Sequence, residues 1–311
     1  MSGLTGISQR NPLISVFFIL CTVVIGFVVI GPIVGFFAAL PFYGGTMLEL
    51  TERITQGSIQ HPELRVPVLI MQGFATLIGL ILLPGLYLSA LEHVSPVKWL
   101  NKKTPAIIAF TVTVIVIAFM VPNSVFIEWN SSFVFPEFLK EFGEWARARE
   151  DVAAELTKFF TVFNSTGDLL LGMVVIALLP ALGEELVFRG MLQPELYRLS
   201  GNYHAAIWIS AFIFSAFHMQ FFGFVPRLFL GALFGYLYWW SGNFWVPVIA
   251  HFVNNGFMVI MLYLYQQEVI TLDMDTPEAA PLSAIIPFTL VFAGALFYFY
   301  KFYKNQNITT E

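Results

Sequence analysis

Residues 12–40 read PLISVFFILCTVVIGFVVIGPIVGFFAAL, a run from Pro12 to Leu40 without one charged side chain. A helix needs about 20 apolar residues to cross the hydrocarbon core of a bilayer, and this run exceeds that. It follows Arg10, greatly outruns the roughly 7–15-residue apolar stretch of a cleavable signal, and no small-residue cleavage site closes it. It is therefore read as a first transmembrane helix rather than a removable leader.

Comparable blocks follow it. Hydropathy sets spans near 12–40, 66–91, 105–122, 168–192, 204–222, 224–240, 244–265 and 283–303. Only Phe221–Arg227 separates the fifth span from the sixth, so a re-entrant hairpin is an alternative there. Composition agrees: the 311 residues are 58% apolar and 11% charged, where a soluble domain carries about 25% charge. The expected fold is an all-α polytopic membrane protein of about eight transmembrane helices. Cys21, the single cysteine, excludes an internal disulfide and a cysteine-based zinc site. A net charge of −5 with dispersed basic residues leaves no footprint for nucleic acid. No internal repeat and no low-complexity segment occurs.

Basic residues set the expected orientation, because loops rich in Lys and Arg stay cytosolic. With an even helix count and a cytosolic N-terminus, Arg10, Lys98, Lys102, Lys103, Arg198, Lys301 and Lys304 all fall on the cytosolic side. The stretch 266–281 carries Glu268, Asp273, Asp275 and Glu278 with no Lys or Arg, and belongs outside. Both termini are thus expected in the cytosol, in a multi-pass protein of the plasma or inner membrane. Asp168 marks the outer entry of the fourth span.

The connection from Pro122 to Thr166 has its own pattern. Phe138, Phe142, Trp145, Val152, Leu156, Phe159 and Phe163 recur at helical spacing, with charged residues mostly filling the other positions. It reads as an amphipathic helix on the membrane or packed over the bundle, either a connector or a gate. The chain then divides into three helices in 1–123, the connecting segment 124–166, a core in 167–265, and an acidic loop, last helix and short polar tail in 266–311.

Ionisable groups inside a span cost roughly 2.5–3.5 kcal/mol each on insertion scales, so each needs a reason. Here they cluster in the fourth to seventh spans: Glu184, Glu185 and Arg189; then Phe214 and His218; then His251, Asn254 and Asn255. Neighbours on a helix point about 100° apart, so Glu184 and Glu185 face different directions. Glu185 and Arg189 form an i,i+4 pair in the favourable order, which leaves Glu184 to face a cavity as a general base. His251 shares a face with Asn255, and Phe214 with His218. A carboxylate, two imidazoles and a carboxamide can activate water and stabilise an oxyanion, which is the chemistry of acyl hydrolysis. Each has a structural reading too: the histidines and asparagines as interhelical hydrogen bonds, Glu185 with Arg189 as an ion pair. Gly231 and Gly235 read as close packing within the bundle.

Counted at 1.5 Å per residue from the expected cytosolic ends, Glu184 and His251 lie about 10 Å deep and His218 about 20 Å deep. Their convergence therefore requires tilt, a kink or a different boundary.

These residues resemble the CAAX protease and bacteriocin-processing family of intramembrane proteases. Its three motifs EExxxR, FxxxH and HxxxN match Glu184 to Arg189, Phe214 to His218 and His251 to Asn255, over about residues 165–265. The resemblance implies an endopeptidase core in the fourth to seventh spans, cutting a membrane-associated peptide or protein near the cytosolic side. It implies that Glu184 activates water, that His218 assists, and that His251 and Asn255 contact substrate or oxyanion. Glu185, Arg189, Phe214 and Asn254 are supporting residues. Glu184, His218 and His251 would also be the ligands of a zinc ion, but no His-Glu-x-x-His pairs two ligands on one helix, and the metal-free reading is preferred. A proton-coupled transporter would use the same buried cluster, yet inverted repeats and interrupted half-helices are not seen. A non-catalytic membrane scaffold is the third alternative. Oligomeric state is left open.

Overall fold

The computed structural model describes residues 10–55, 61–95, 97–271 and 278–308. Asp273 and Asp275 of the acidic segment lie outside the described residues. Among those described, the chain is helical and contains no strand. In chain order the elements are α1 (Pro12–Phe42), α2 (Met47–Thr55), α3 (Pro62–Ala90), α4 (Ala106–Ser131), α5 (Lys140–Phe160), α6 (Thr166–Ser200), α7 (Tyr203–Phe217), α8 (Phe224–Ser241), α9 (Trp245–Gln266) and α10 (Leu282–Ile308). Six of these, α1, α3, α4, α6, α9 and α10, are long and apolar enough to span a membrane. Their outward faces carry bare apolar side chains such as Phe17, Val28, Phe110, Leu290 and Phe297, which only lipid can cover. The protein is an all-α polytopic membrane protein.

Prolines shape the long helices. Four widened π-type turns, at Ile25–Ile30, Leu77–Leu82, Met173–Leu178 and Leu186–Leu192, are each followed within two residues by Pro32, Pro84, Pro180 or Pro194. A proline ring clashes with the carbonyl four residues earlier and offers no N–H, and widening the preceding turn lets the helix run on. This corrects the expected end of the fourth span. Gln193–Ser200 is polar and contains Pro194, so hydropathy stops at residue 192, yet α6 continues to Ser200 and is 35 residues long. Likewise the third span does not stop at Pro122 but runs to Ser131.

The two amphipathic layers sit at one end of the bundle. Leu50 of α2, Leu64 of α3 and Phe159 of α5 form a small core there, and Phe163 is buried as well. Phe138, Phe142, Trp145 and Val152 stay exposed, whereas Ala146 is covered. The opposite end gathers both described chain ends: Arg198 Nη2 donates to the Arg10 carbonyl at 2.9 Å, Tyr197 meets Trp239, and Trp240 meets Tyr300.

Close backbone approach ties α1 to α3. A Cβ built on Gly79 would stand 2.5 Å from the Phe27 backbone, so only glycine lets these helices touch. Gly183 does the same for α6 against Leu80, where a Cβ would come within 2.6 Å.

The fifth and sixth predicted spans form a hairpin. α7 ends at Phe217, giving a rise of about 22 Å, short of the ~30 Å hydrocarbon thickness. His218 caps it, and Met219 takes a left-handed backbone with φ 54° that turns the chain toward α8.

Candidate active site

Ser165 starts α6: its hydroxyl accepts from the Asp168 amide at 3.1 Å, while Asp168 accepts from the Asn164 amide and pairs with Arg65 at 3.1 Å. That anchors one end of the helix that carries the acidic pair. At the other end Gly201, with φ 64°, and the Asn202 cap turn the chain straight into α7. Glu184 lies about 24 Å from the Ser200 end of α6, and His218 about 22 Å from the Tyr203 end of α7, so the two are level. For Glu184 and His218 the mismatch of depth expected from sequence vanishes because α6 is longer than its apolar part, while His251 stays six residues, about 9 Å, inside the Trp245 end of α9.

Glu185 is the last residue before the widened turn Leu186–Leu192. Its Oε1 accepts from Arg189 Nη1 at 2.9 Å and from His251 Nδ1 at 2.8 Å. The three side chains are 0%, 1% and 4% exposed, so the charges are compensated by each other rather than by water. Arg189 Nη2 also donates to the Gly231 carbonyl at 2.8 Å, and its guanidinium lies between the Phe214 and Phe234 rings. Gln193 Nε2 reaches the Gly235 carbonyl at 3.2 Å in the same way, one turn along. Gly231 and Gly235 are thus where α6 side chains grip the α8 backbone.

The carboxylate opposite Nδ1 of His251 places the ring proton there, so Nε2 accepts from Asn255 Nδ2 at 3.2 Å. The same Asn255 amide donates to the Ile176 carbonyl at 3.1 Å, and its oxygen accepts from Asn254 at 3.0 Å. Asn255 is fully engaged in orienting His251. Glu184 approaches the ring from the other side, with Oε2 3.9 Å from His251 Nε2. The two neighbouring glutamates do point apart, as helical geometry requires, but they reach the two nitrogens of one imidazole. Glu184 Oε2 is buried without a hydrogen-bond partner among the described residues.

His218 Nδ1 lies 2.9 Å from the Phe214 carbonyl. A carbonyl only accepts, so the proton is on Nδ1 and Nε2 presents a lone pair. The Phe214 ring stands between the two imidazoles, its centroid 5.1 Å from that of His218 and 6.1 Å from that of His251. Glu184, Glu185, Arg189, Phe214, His218, His251, Asn254 and Asn255 therefore form one connected cluster. Among the described residues no three His, Cys, Asp or Glu side chains are grouped to hold a metal ion, and Glu184, His218 and His251 do not fit one in this arrangement.

Sequence reasoning missed the groups that hold the hairpin tip. Asn130, on the extension of α4, donates to the Phe221 carbonyl at 3.1 Å and accepts from the Val225 amide at 2.8 Å. Glu150 of α5 accepts from Gln220 and from the Phe222 amide, each at 3.3 Å, and the Arg147 guanidinium lies 3.4 Å over the Phe222 ring. Arg227 Nη2 donates to Gln220 Oε1 at 2.9 Å, and Arg227 is within electrostatic reach of Glu150, Glu184 and His218. The polar groups of this turn are met by side chains of α4 and α5. One signal pointed to Arg227: it is a lone arginine away from the basic loops, without a role in orientation.

Residues 166–257 match a family model described as type II CAAX prenyl endopeptidase, Rce1-like. The chain is 33% identical over 88 residues to the uncharacterized protein YpbD of Bacillus subtilis (strain 168), covering 27% of this chain and 42% of that protein. It is 35% identical over 95 residues to the membrane-embedded CAAX protease MroQ of Staphylococcus aureus (strain USA300), covering 29% and 38%. It is 31% identical over 89 residues to the putative membrane peptidase YdiL of Bacillus subtilis (strain 168), covering 29% and 36%. The chain thus spans about two fifths of the length of the curated relatives it matches. No solved structure matches it. The similarity covers α6 to the middle of α9, the elements that carry the cluster.

Proposed function

We propose that this chain is an intramembrane endopeptidase whose core is residues 167–265. One observation carries the reading: within the segment similar to CAAX endopeptidases, a buried carboxylate oxygen without a hydrogen-bond partner among the described residues, Glu184 Oε2, stands 3.9 Å from an imidazole that Glu185 and Asn255 hold in a single orientation.

The reaction uses the chain's own groups. Glu184, with the His218 Nε2 lone pair, takes a proton from water as the water oxygen bonds to the scissile carbonyl carbon. The carbonyl π pair moves to its oxygen, giving a tetrahedral oxyanion. Collapse breaks the C–N bond, and the proton held by Glu184 passes to the leaving amine. The products are a carboxylic acid and an amine, with one water consumed. His251, aligned by Glu185 and Asn255, faces Glu184 and orients it, while Arg189 balances the charge of Glu185.

The substrate is a membrane-associated peptide or protein reaching the cluster through the bilayer, in a multi-pass protein with both ends on the cytosolic side. The cut is placed near that side, where His251 lies six residues, about 9 Å, inside the Trp245 end of α9. The test is a comparison of new peptide N-termini in membranes containing the wild type or the folded Glu184→Gln and His218→Ala variants. Cleavage products present with wild type and absent with both variants are expected. Equal products from all three would overturn the reading.

A further inference from the structure

We infer that Arg227 supplies the hydrogen bond to the carbonyl oxygen of the bond being cut. This deepens the endopeptidase reading and rests on it. The family resemblance gives the oxyanion to His251 and Asn255, but the structure leaves neither a free donor. Both contacts of the Asn255 amide nitrogen are in use, on the Ile176 carbonyl and on His251 Nε2, and the His251 proton is held by Glu185. His218 has its proton on the Phe214 carbonyl and offers a lone pair. Arg189 Nη1 and Nη2 are committed to Glu185 and Gly231.

A hydrolytic site that gathers acceptors needs a donor where negative charge develops. Arg227 Nη1 is buried and has no hydrogen-bond partner among the described residues, and Arg227 stands one turn before Gly231 on the α8 face that the Arg189 and Gln193 side chains meet. The guanidinium is steered from behind. Gln220 Oε1 accepts from Nη2, and Gln220 is itself tied to Glu150 of α5. Gly223 lets the guanidinium lie on the turn, since a Cβ there would stand 2.8 Å from Nη2. One nitrogen is thus anchored and the other left to bind. An arginine cannot lose its proton in this role, so it adds charge to the oxyanion without competing with Glu184 for the water proton.

The experiment uses the full chain, purified and reconstituted, with a quenched-fluorescent peptide copied from a bond the wild type cuts. Arg227→Gln is expected to lower kcat by about 100-fold or more, the usual cost of losing one oxyanion donor, with KM changed less than about 3-fold. Gly223→Ala keeps every charge and is expected to lower kcat about 10-fold by displacing the guanidinium; it decides the matter if Arg227→Gln does not fold. Gln220→Ala, which cuts the anchor but keeps Nη1, is expected to cost less than Arg227→Gln. Wild-type kcat in Arg227→Gln and Gly223→Ala, or an equal loss in Gln220→Ala and Arg227→Gln, would overturn the inference. Glu184→Gln separates the two levels: if it is inactive while Arg227→Gln is not, the oxyanion assignment fails alone, and if it is fully active the endopeptidase reading fails first.

Discussion

Glu185 is fully buried and shares one oxygen between a guanidinium and an imidazole. Removing only one member of a buried pair leaves a charge with neither water nor partner, which costs about 3–5 kcal/mol. Arg189→Met is therefore expected to destabilise the protein by that amount in thermal unfolding in detergent. Adding Glu185→Gln to it is expected to restore part of the loss, since the orphaned charge goes too; a double variant less stable than Arg189→Met would contradict this. Asn255→Ala frees His251 to rotate, and turnover is expected to fall while stability changes by about 1–3 kcal/mol from the unpaired Ile176 carbonyl. At this scale the sequence was informative about residue types and spacing, because i,i+4 geometry follows from the helix alone. It was silent on Asn130 and Glu150, whose partners lie about 70 to 95 positions away in the chain.

Among the elements, α5 was legible as an amphipathic helix, but not the side it presents. Ala146 is covered, Glu150 bonds the hairpin tip and the Phe142 ring meets Phe221 there, while Trp145 and Val152 stay exposed. Periodicity reports that two faces differ, and the neighbour decides which is used. The contacts of Glu150 and Arg147 hold α5 over the tip that carries His218 and Arg227. Glu150→Ala is expected to speed amide hydrogen exchange in Lys140–Phe160 by about 10-fold, with α3 and α6 unchanged; an unaltered exchange pattern would remove α5 as a cover for the site. The close contact of α1 with α3 gives a second check: Gly79→Val is expected to destabilise the N-terminal helices, seen as a lowered thermal midpoint, because the Phe27 backbone has no room to retreat.

For the molecule as a whole, Arg10, Arg198, Trp239, Trp240 and Tyr300 meet at one end, so both described chain ends emerge on the same face. Arg10, Lys102, Arg198, Lys301 and Lys304 lie toward that face, while Arg53, Arg65, Lys140, Arg147, Arg149 and Lys158 lie toward the other; assignment of the first face to the cytosol is the topology proposed here. A reporter fused after Glu311 is expected to be active in the cytosol only; activity on the outer side would invert the orientation. The sequence by itself determined the all-α membrane fold, since uncharged runs such as Pro12–Leu40 cannot be solvated by water and must bury every backbone polar group in helices. It also marked seven polar side chains and Phe214 as candidates on the spans that became α6, α7 and α9. Only the tertiary structure decided how far α6 and α4 extend, because widened turns absorb the prolines that hydropathy reads as ends. It alone decided that Glu184 and Glu185 flank one imidazole and that Asn130 and Glu150 hold the hairpin tip, because such contacts depend on the packing of separate helices, and local spacing carries no trace of it.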